Sequence, residues 1–190
     1  MQIILASGSP RRRQLLAELG IAFTVQSKDI PEDFPSDMPA QEVPVYLAYK
    51  KAKAFSDSEL HDKLVITADT VVILEGKVLN KPATAEEAFE MLSALSGKQH
   101  EVVTGVCFRS EKRIHSFWDT TQVFFKHLSP QEIDFYIRTH KPFDKAGAYG
   151  AQEWMGMVGV ERIEGSYFNV MGLPIHKVYE ELRAAGVLSL

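Results

Sequence analysis

The stretch that most constrains this chain runs from Ile3 to Leu16. Ile3-Ile4-Leu5 is a short apolar run that reads as a buried strand, and Ser7-Gly8-Ser9 reads as a turn. Ser9 has the short oxygen-bearing side chain of an N-cap. Pro10 suits the first helical position, where no backbone N–H is required. Leu15, Leu16 and Leu19 then form one apolar helical face, and Gly20 stops it. A strand therefore feeds directly into a helix N-terminus. The N–H groups and positive dipole end at such a terminus favour an anion. Arg11, Arg12 and Arg13 occupy that first turn, where positive charge is unfavourable. A bound anion would offset the repulsion, and phosphate matches the planar guanidinium fork. A helix start whose arginines simply face water is the plainer alternative.

Bulk properties restrict what that anion can belong to. With 190 residues, 45% of them hydrophobic and 24% charged, the chain is sized for one soluble domain or two lobes. The net charge of −4 disfavours a non-specific nucleic-acid binder, so a phosphate site has to be a local cationic cluster. A basic stripe with interleaved aromatics is also missing. The one cysteine, Cys107, lies in an apolar run and reads as a lone buried thiol, as expected for a reducing, cytoplasmic setting. Ser7 to Arg13 interrupts any signal-peptide core, and no apolar run reaches the ~20 residues of a membrane span.

Downstream, Ile21 to Val25 reads as a strand, and residues 26–39 as an acidic, proline-rich loop containing Glu32. Glu32 is either a metal carboxylate or a solvated charge. A helix is expected from Pro44 to about Phe55. Leu47, Ala48, Ala54 and Phe55 surround Lys51 at helical spacing, while Lys50 and Lys53 point elsewhere as solvated charges. A lysine on an apolar stripe either snorkels or holds an anion. Leu64 to Ala68 and Val71 to Leu74 are strand sequence on both sides of Asp69-Thr70. A carboxylate so placed needs a metal, a cation or a hydrogen-bonding turn. Glu75-Gly76 is a hairpin turn into strand Lys77 to Leu79, which brings Lys81 to the strand end.

The remaining elements follow from period and punctuation. Helices are expected over Thr84 to Leu95 and Ser129 to Thr139, each opened by a capping box, and over Pro174 to Ala185. Strands are expected over His100 to Phe108 and Ile114 to Phe125, each with one exposed face, and over Val158 to Ile163 and Tyr167 to Val170. His100, His115 and His127 lack zinc-ligand spacing. The glycine-rich segment 144–152 carries Asp144, Lys145 and Gln152, the last able to read a base edge with its donor and acceptor.

In order along the chain, Ser7-Gly8-Ser9-Pro10-Arg11-Arg12, Lys51 in Leu47-Ala48-Tyr49-Lys50-Lys51-Ala52, Ala68-Asp69-Thr70, Lys81-Pro82, Ser96-Gly97, Asp144-Lys145-Ala146-Gly147-Ala148-Tyr149-Gly150-x-Gln152, Gly165-Ser166-Tyr167 and Gly172-Leu173-Pro174 resemble the motifs of the Maf family of nucleoside triphosphate pyrophosphatases. The resemblance covers nearly the whole chain. It implies an α/β fold: a single domain over residues 1–190, with two lobes around an elongated mixed β-sheet, a central nucleotide cleft, and a shape related to inosine triphosphatases. It further implies hydrolysis of a nucleoside triphosphate to monophosphate and pyrophosphate with a divalent cation, Mg²⁺ or Mn²⁺. The form of the 144–152 motif resembles the subfamily acting on dTTP and UTP, in a house-cleaning role. Glu153-Trp154 stands where the family often has glycine, a departure that bears on the shape of the base pocket.

Carried over residue by residue, the resemblance assigns catalysis to Asp69, Lys51 and Lys81. Substrate contacts and specificity fall to Ser7, Ser9, Arg11, Arg12, Thr70, Lys145 and Gln152. For the metal, Glu32 of the acidic loop is the best second carboxylate beside Asp69, a reading of the residues rather than of the motifs, with Asp69 as general base, metal ligand or both. A homodimer agrees with the family, and neither nucleic acid nor membrane is an expected partner. The rival function is a nucleotide-binding regulator of septum formation with little turnover.

Overall fold

The computed structural model describes residues 1–188. They form a mixed α/β fold built on a seven-stranded sheet in which β1 (Gln2–Leu5), β2 (Phe23–Val25), β3 (Lys63–Leu74), β5 (Gln99–Arg109), β6 (Ile114–Phe125) and β7 (Val160–Glu164) follow the order β2-β1-β3-β5-β6-β7. β4 (Lys77–Leu79) pairs with β3 outside that sequence. The chain divides into two compact units. Among the described residues, the first comprises 1–69, 104–119 and 172–188, and the second 70–103 and 120–171. β3, β5 and β6 each contribute residues to both.

In the first unit, β1 runs parallel to β2 and to the start of β3, with Ile3 opposite Phe23 and Leu64. Parallel strands need a crossover, and α1 (Pro10–Ala17) and α2 (Val43–Lys53) lie in the connecting segments. Ser9 caps α1 as its sequence predicts, its hydroxyl accepting from the Arg12 N–H. The apolar residues of β1 and β3 are buried, and Ile4, Ala6 and Val65 pack with Phe55 and Leu60. α7 (Ile175–Ala184) buries Val178 and Leu182. Cys107 is a buried free thiol packed against Ala48 and Ala52 of α2.

Gly105 of β5 shows how closely α2 approaches the sheet. A Cβ built there would lie 2.4 Å from the carbonyl carbon of Pro44 and the nitrogen of Val45. Because the obstacle is backbone, no rotamer change relieves it. Gly105→Ala is expected to lower stability by about 1–3 kcal/mol or more, read as a shift in urea midpoint at unchanged slope.

The second unit has its own core. Val72, Leu74, Val102, Val123 and Phe125 of the strands meet Ala88, Leu92 and Leu95 of α3 (Ala85–Leu95) and Ile133, Tyr136 and Ile137 of α4 (Pro130–His140). The β3–β4 hairpin turns through Glu75 and Gly76, both with positive φ, as a two-residue turn requires. Both predicted helix starts are present. Ser129 and Glu132 form a complete capping box. At α3 the box is opened by one residue: Thr84 accepts from the Glu87 N–H, but the Glu87 carboxylate takes the N–H of Ala83.

Three expectations are corrected. β5 has no exposed face and is buried along most of its length, because helices cover it: Gly105 and Cys107 lie against α2, and Val102 lies in the core with α3 and α4. The strand expected from Val158 begins at Val160, after a short helix α5 (Trp154–Gly159). Residues Tyr167–Val170 form a helix, α6, rather than a strand, because the Ser166 side chain caps it by accepting from the Asn169 N–H.

His100 is enclosed in this second core, edge-on to Phe125 and Tyr149, with Nε2 sharing a 2.7 Å hydrogen bond with the Tyr149 hydroxyl. Burial pushes its pKa from 6.5 down to about 4. Below pH 6.5 the unfolded chain takes up a proton that the native state refuses until about pH 4. Stability should therefore fall as the pH drops through that window, by about 3 kcal/mol for this residue, and be unaffected by it above. Denaturant midpoints of the wild type and His100→Gln between pH 7 and 4 check this, the variant lacking that part of the slope.

Candidate active site

The sequence-predicted residues fall into two sets, one in each unit. In the first unit the centre is Lys51, in the last turn of α2. Its ammonium donates to Asp69 Oδ1 at 2.5 Å and to Glu32 Oε1 at 2.7 Å. Leu47, Ala48 and Ala52 bury the flanks of that helix, so the lysine stem leaves the apolar stripe with its head on two carboxylates rather than in water. Glu32 reaches it from the long loop before α2. Lys50, expected as a solvated charge, instead holds that loop by bonding both the carboxylate and the carbonyl of Asp33.

Asp69 owes its position to strand register. β3 is one continuous strand through Asp69-Thr70. Its pairing with β1 covers Lys63 to Ile66, and its pairing with β4 covers Val72 to Leu74. The residues between lie past the end of the first pairing and before the second. There the Ala68 carbonyl accepts from the Arg12 guanidinium at 2.8 Å, and Asp69 is 7% exposed.

Arg12 is more deeply integrated than a cation awaiting phosphate. Its Nε donates to the Gly172 carbonyl at 2.7 Å, and one terminal nitrogen serves both Ala68 O and, at 3.4 Å, Ser7 Oγ. These oxygens offset the cost of a guanidinium at a helix N-terminus. Desolvation and neighbouring Arg11 pull the Arg12 pKa below its ordinary value, while Asp69 and Glu32 oppose the shift. Ser7 and Ser9 are likewise engaged: Ser9 N–H donates to Ser7 Oγ, and Ser9 Oγ caps Arg12. Arg11 is half-buried and Arg13 exposed.

In the second unit the glycine-rich segment is organised around Lys145. Its side chain is buried, and its ammonium lies 2.6 Å from Asp144 Oδ1 and 3.1 Å from Glu153 Oε1. Glu153 Oε2 accepts from the Tyr136 hydroxyl, which in turn accepts from the Gly150 N–H. Gly150 leaves room for this network: a Cβ there would meet Glu153 Cδ at 2.9 Å and Lys145 Cε at 3.1 Å, so both side chains would have to shift. The segment docks through Gly147, whose positive φ and close approach to Val72 exclude a side chain, and whose N–H bonds the Asn80 carbonyl beside Lys81. Lys81 is exposed and Thr70 half-buried on β3. The Gln152 Oε1 atom is buried without a hydrogen-bond partner among the described residues.

Tyr136 and Glu153 escaped the sequence reading. Tyr136 looks like a core aromatic, and Glu153 stood out only as a departure from glycine. The neighbouring departure, Trp154, packs edge-on against Phe135.

An α/β chain carrying a lysine clasped by two carboxylates beside an arginine-bearing helix start has the equipment of a phosphate-handling protein. The Maf-like protein family model matches residues 2–185, and the chain belongs to that family. It is 52% identical over 180 residues to the dTTP/UTP pyrophosphatase of Cytophaga hutchinsonii, covering 95% of this chain and 82% of that one. It is 51% identical over 183 residues to the dTTP/UTP pyrophosphatase of Phocaeicola vulgatus, covering 96% and 95%. A solved structure of the Staphylococcus aureus Ham1 protein aligns with 66% of this chain and 72% of its own at 15% identity and a TM-score of 0.42, a likeness too slight to argue from. No helix among the described residues is long and apolar enough to cross a membrane.

Proposed function

We propose that this chain is a nucleoside triphosphate pyrophosphatase that hydrolyses dTTP and UTP to the monophosphate and pyrophosphate. The relatives at about half identity, matched over 82% and 95% of their lengths, support the substrates. The observation that carries the chemistry is the Glu32–Lys51–Asp69 cluster. It places a base next to a cation, and phosphoryl transfer consists mainly of positioning and stabilising charge on oxygen.

In this reading Asp69 accepts a proton from the attacking water. The water oxygen bonds the α-phosphorus, the bridging bond to the β-phosphate breaks, and pyrophosphate leaves with the electron pair. Lys51 moves from its carboxylates toward the charge that develops on the phosphate oxygens. Arg12 holds β3 at Ala68, beside Asp69, and Arg11, Ser7 and Ser9 shape the helix N-terminus that faces anionic groups. Lys81, Lys145, Thr70 and Gln152 are the second unit's substrate-contacting residues. The bare Gln152 Oε1 suits the N3–H donor of thymine and uracil, which cytosine lacks.

Glu32 and Asp69 also fit a divalent cation. Two hard carboxylates already gather around one positive charge, and Mg²⁺ characteristically uses one or two carboxylates with phosphates and water. When bound, the ion would neutralise phosphate charge. The same reading makes the protein cytoplasmic and homodimeric, acting on free nucleotides rather than on nucleic acid or membranes.

Pyrophosphate release from dTTP, UTP, CTP, GTP, 7-methyl-GTP and ITP, with Mg²⁺, Mn²⁺ or chelator, tests the reading. Metal-dependent release led by dTTP and UTP is expected. Release led by another base would discard the role given to Gln152. Tight nucleotide binding without turnover would favour a regulator.

A further inference from the structure

We infer that Thr67 is a positioning residue for Lys51. Thr67 is fully buried on β3, two residues before Asp69, so strand alternation puts both side chains on one face. Its hydroxyl donates to the Ala48 carbonyl of α2 at 2.7 Å, with the Cys107 carbonyl of β5 a longer second acceptor at 3.4 Å. Ala48 precedes Lys51 by three residues, about one helical turn. The same strand and the same helix are thus joined twice, by Thr67 to Ala48 and by Asp69 to Lys51.

The first of these joints is not required by the fold. A carbonyl inside a helix has its own acceptor role in the ladder, and Thr67 is no cap. A buried hydroxyl costs free energy that valine, of the same shape and β preference, would avoid. What the hydroxyl adds is geometric. Two joints spaced about 6.7 Å along the strand and about 4.5 Å along the helix fix both the slide and the rotation of α2. The close approach of Pro44 and Val45 to Gly105 sets the depth of the helix at its other end. With slide, rotation and depth all set, the flexible Lys51 stem delivers its ammonium between Asp69 and Glu32. With Thr67 released, α2 is free to shift along the strand and the Lys51 ammonium is no longer held on Asp69.

The functional consequence rests on the pyrophosphatase reading. The test compares Thr67→Val, Thr67→Ser, Lys51→Met and Thr67→Val/Lys51→Met for kcat and KM on dTTP, with a crystal structure of Thr67→Val. Thr67→Val is expected to lower kcat about five- to tenfold, the worth of one buried hydrogen bond, with KM little changed. Thr67→Ser should restore it to within about twofold. In the Lys51→Met background Thr67→Val should cost less than about twofold, because its route of action is gone. The same factor in both backgrounds, or wild-type kcat in Thr67→Val, would overturn the assignment. Should Thr67→Val not fold, Thr67→Ala removes the hydroxyl without adding volume and is held to the same outcomes. A wild-type protein without turnover would defeat the functional reading alone. The crystal structure then decides the positioning: α2 shifted and Lys51 moved off Asp69 supports it, and an unchanged ion pair overturns it.

Discussion

Asp69→Asn is expected to lower kcat for pyrophosphate release by about 10²–10⁴, the range for loss of a general base, with the folded structure retained. The substitution keeps shape and burial while removing the proton acceptor and the charge. Lys51 keeps Glu32 as a partner, so the cluster does not lose its only ionic contact. If Asp69 also holds the metal, the loss lies at the upper end and Mn²⁺ binding weakens with it. Near-wild-type turnover in a correctly folded Asp69→Asn protein would remove Asp69 from the chemistry. Steady-state kinetics with circular dichroism on the same preparation distinguishes these results.

Lys51→Met is expected to act on both activity and stability. Methionine keeps an unbranched apolar stem of similar reach but leaves Asp69 and Glu32 facing each other without the ammonium that bridges them. Breaking a buried ion pair costs about 3–5 kcal/mol; this pair is partly solvated, so the lower end applies. Loss of one donor to the developing phosphate charge should lower kcat about 10²–10³. Lys51→Arg restores charge but not shape, because a planar fork cannot bring one nitrogen to both carboxylates in the same way. It should recover stability more than rate. Chemical denaturation and kinetics on the two variants separate the contributions. A Lys51→Met protein of unchanged stability would show that the two contacts of its ammonium contribute nothing.

Much of the first unit's candidate site could be read in the chain, because its signals are local. A strand, a Ser-Gly-Ser turn, an N-cap and Pro10 are contiguous and fix one helix start. Asp69 stands out because strand sequence flanks it on both sides. Lys51 stands out because helical periodicity puts it on an apolar face. The partners of Lys51 were less visible, since Glu32 belongs to a proline-rich loop whose path no periodicity encodes. Arg12 was legible in part. Its charge pointed to an anion, whereas two main-chain carbonyls, one of them 160 residues away, also claim it.

In the second unit, the reading failed where local preference competed with a cap. Tyr167-Phe168-Asn169-Val170 has the aromatic and branched composition of a strand, yet Ser166 starts a helix there. Residues 154–159 hold two glycines that weaken any helical pattern, and Val158 and Val160 invite a strand across them. Glu153 and Tyr136 lie 17 residues apart, and the hydrogen bond that joins them leaves no trace in spacing.

The bond between the α- and β-phosphates is the one this site is held to break, and the products of dTTP report that claim directly. Phosphorus NMR of an early time course with Mg²⁺ should show dTMP and pyrophosphate appearing together, with no dTDP. Orthophosphate and dTDP as the first products would contradict the claim, whatever the rate.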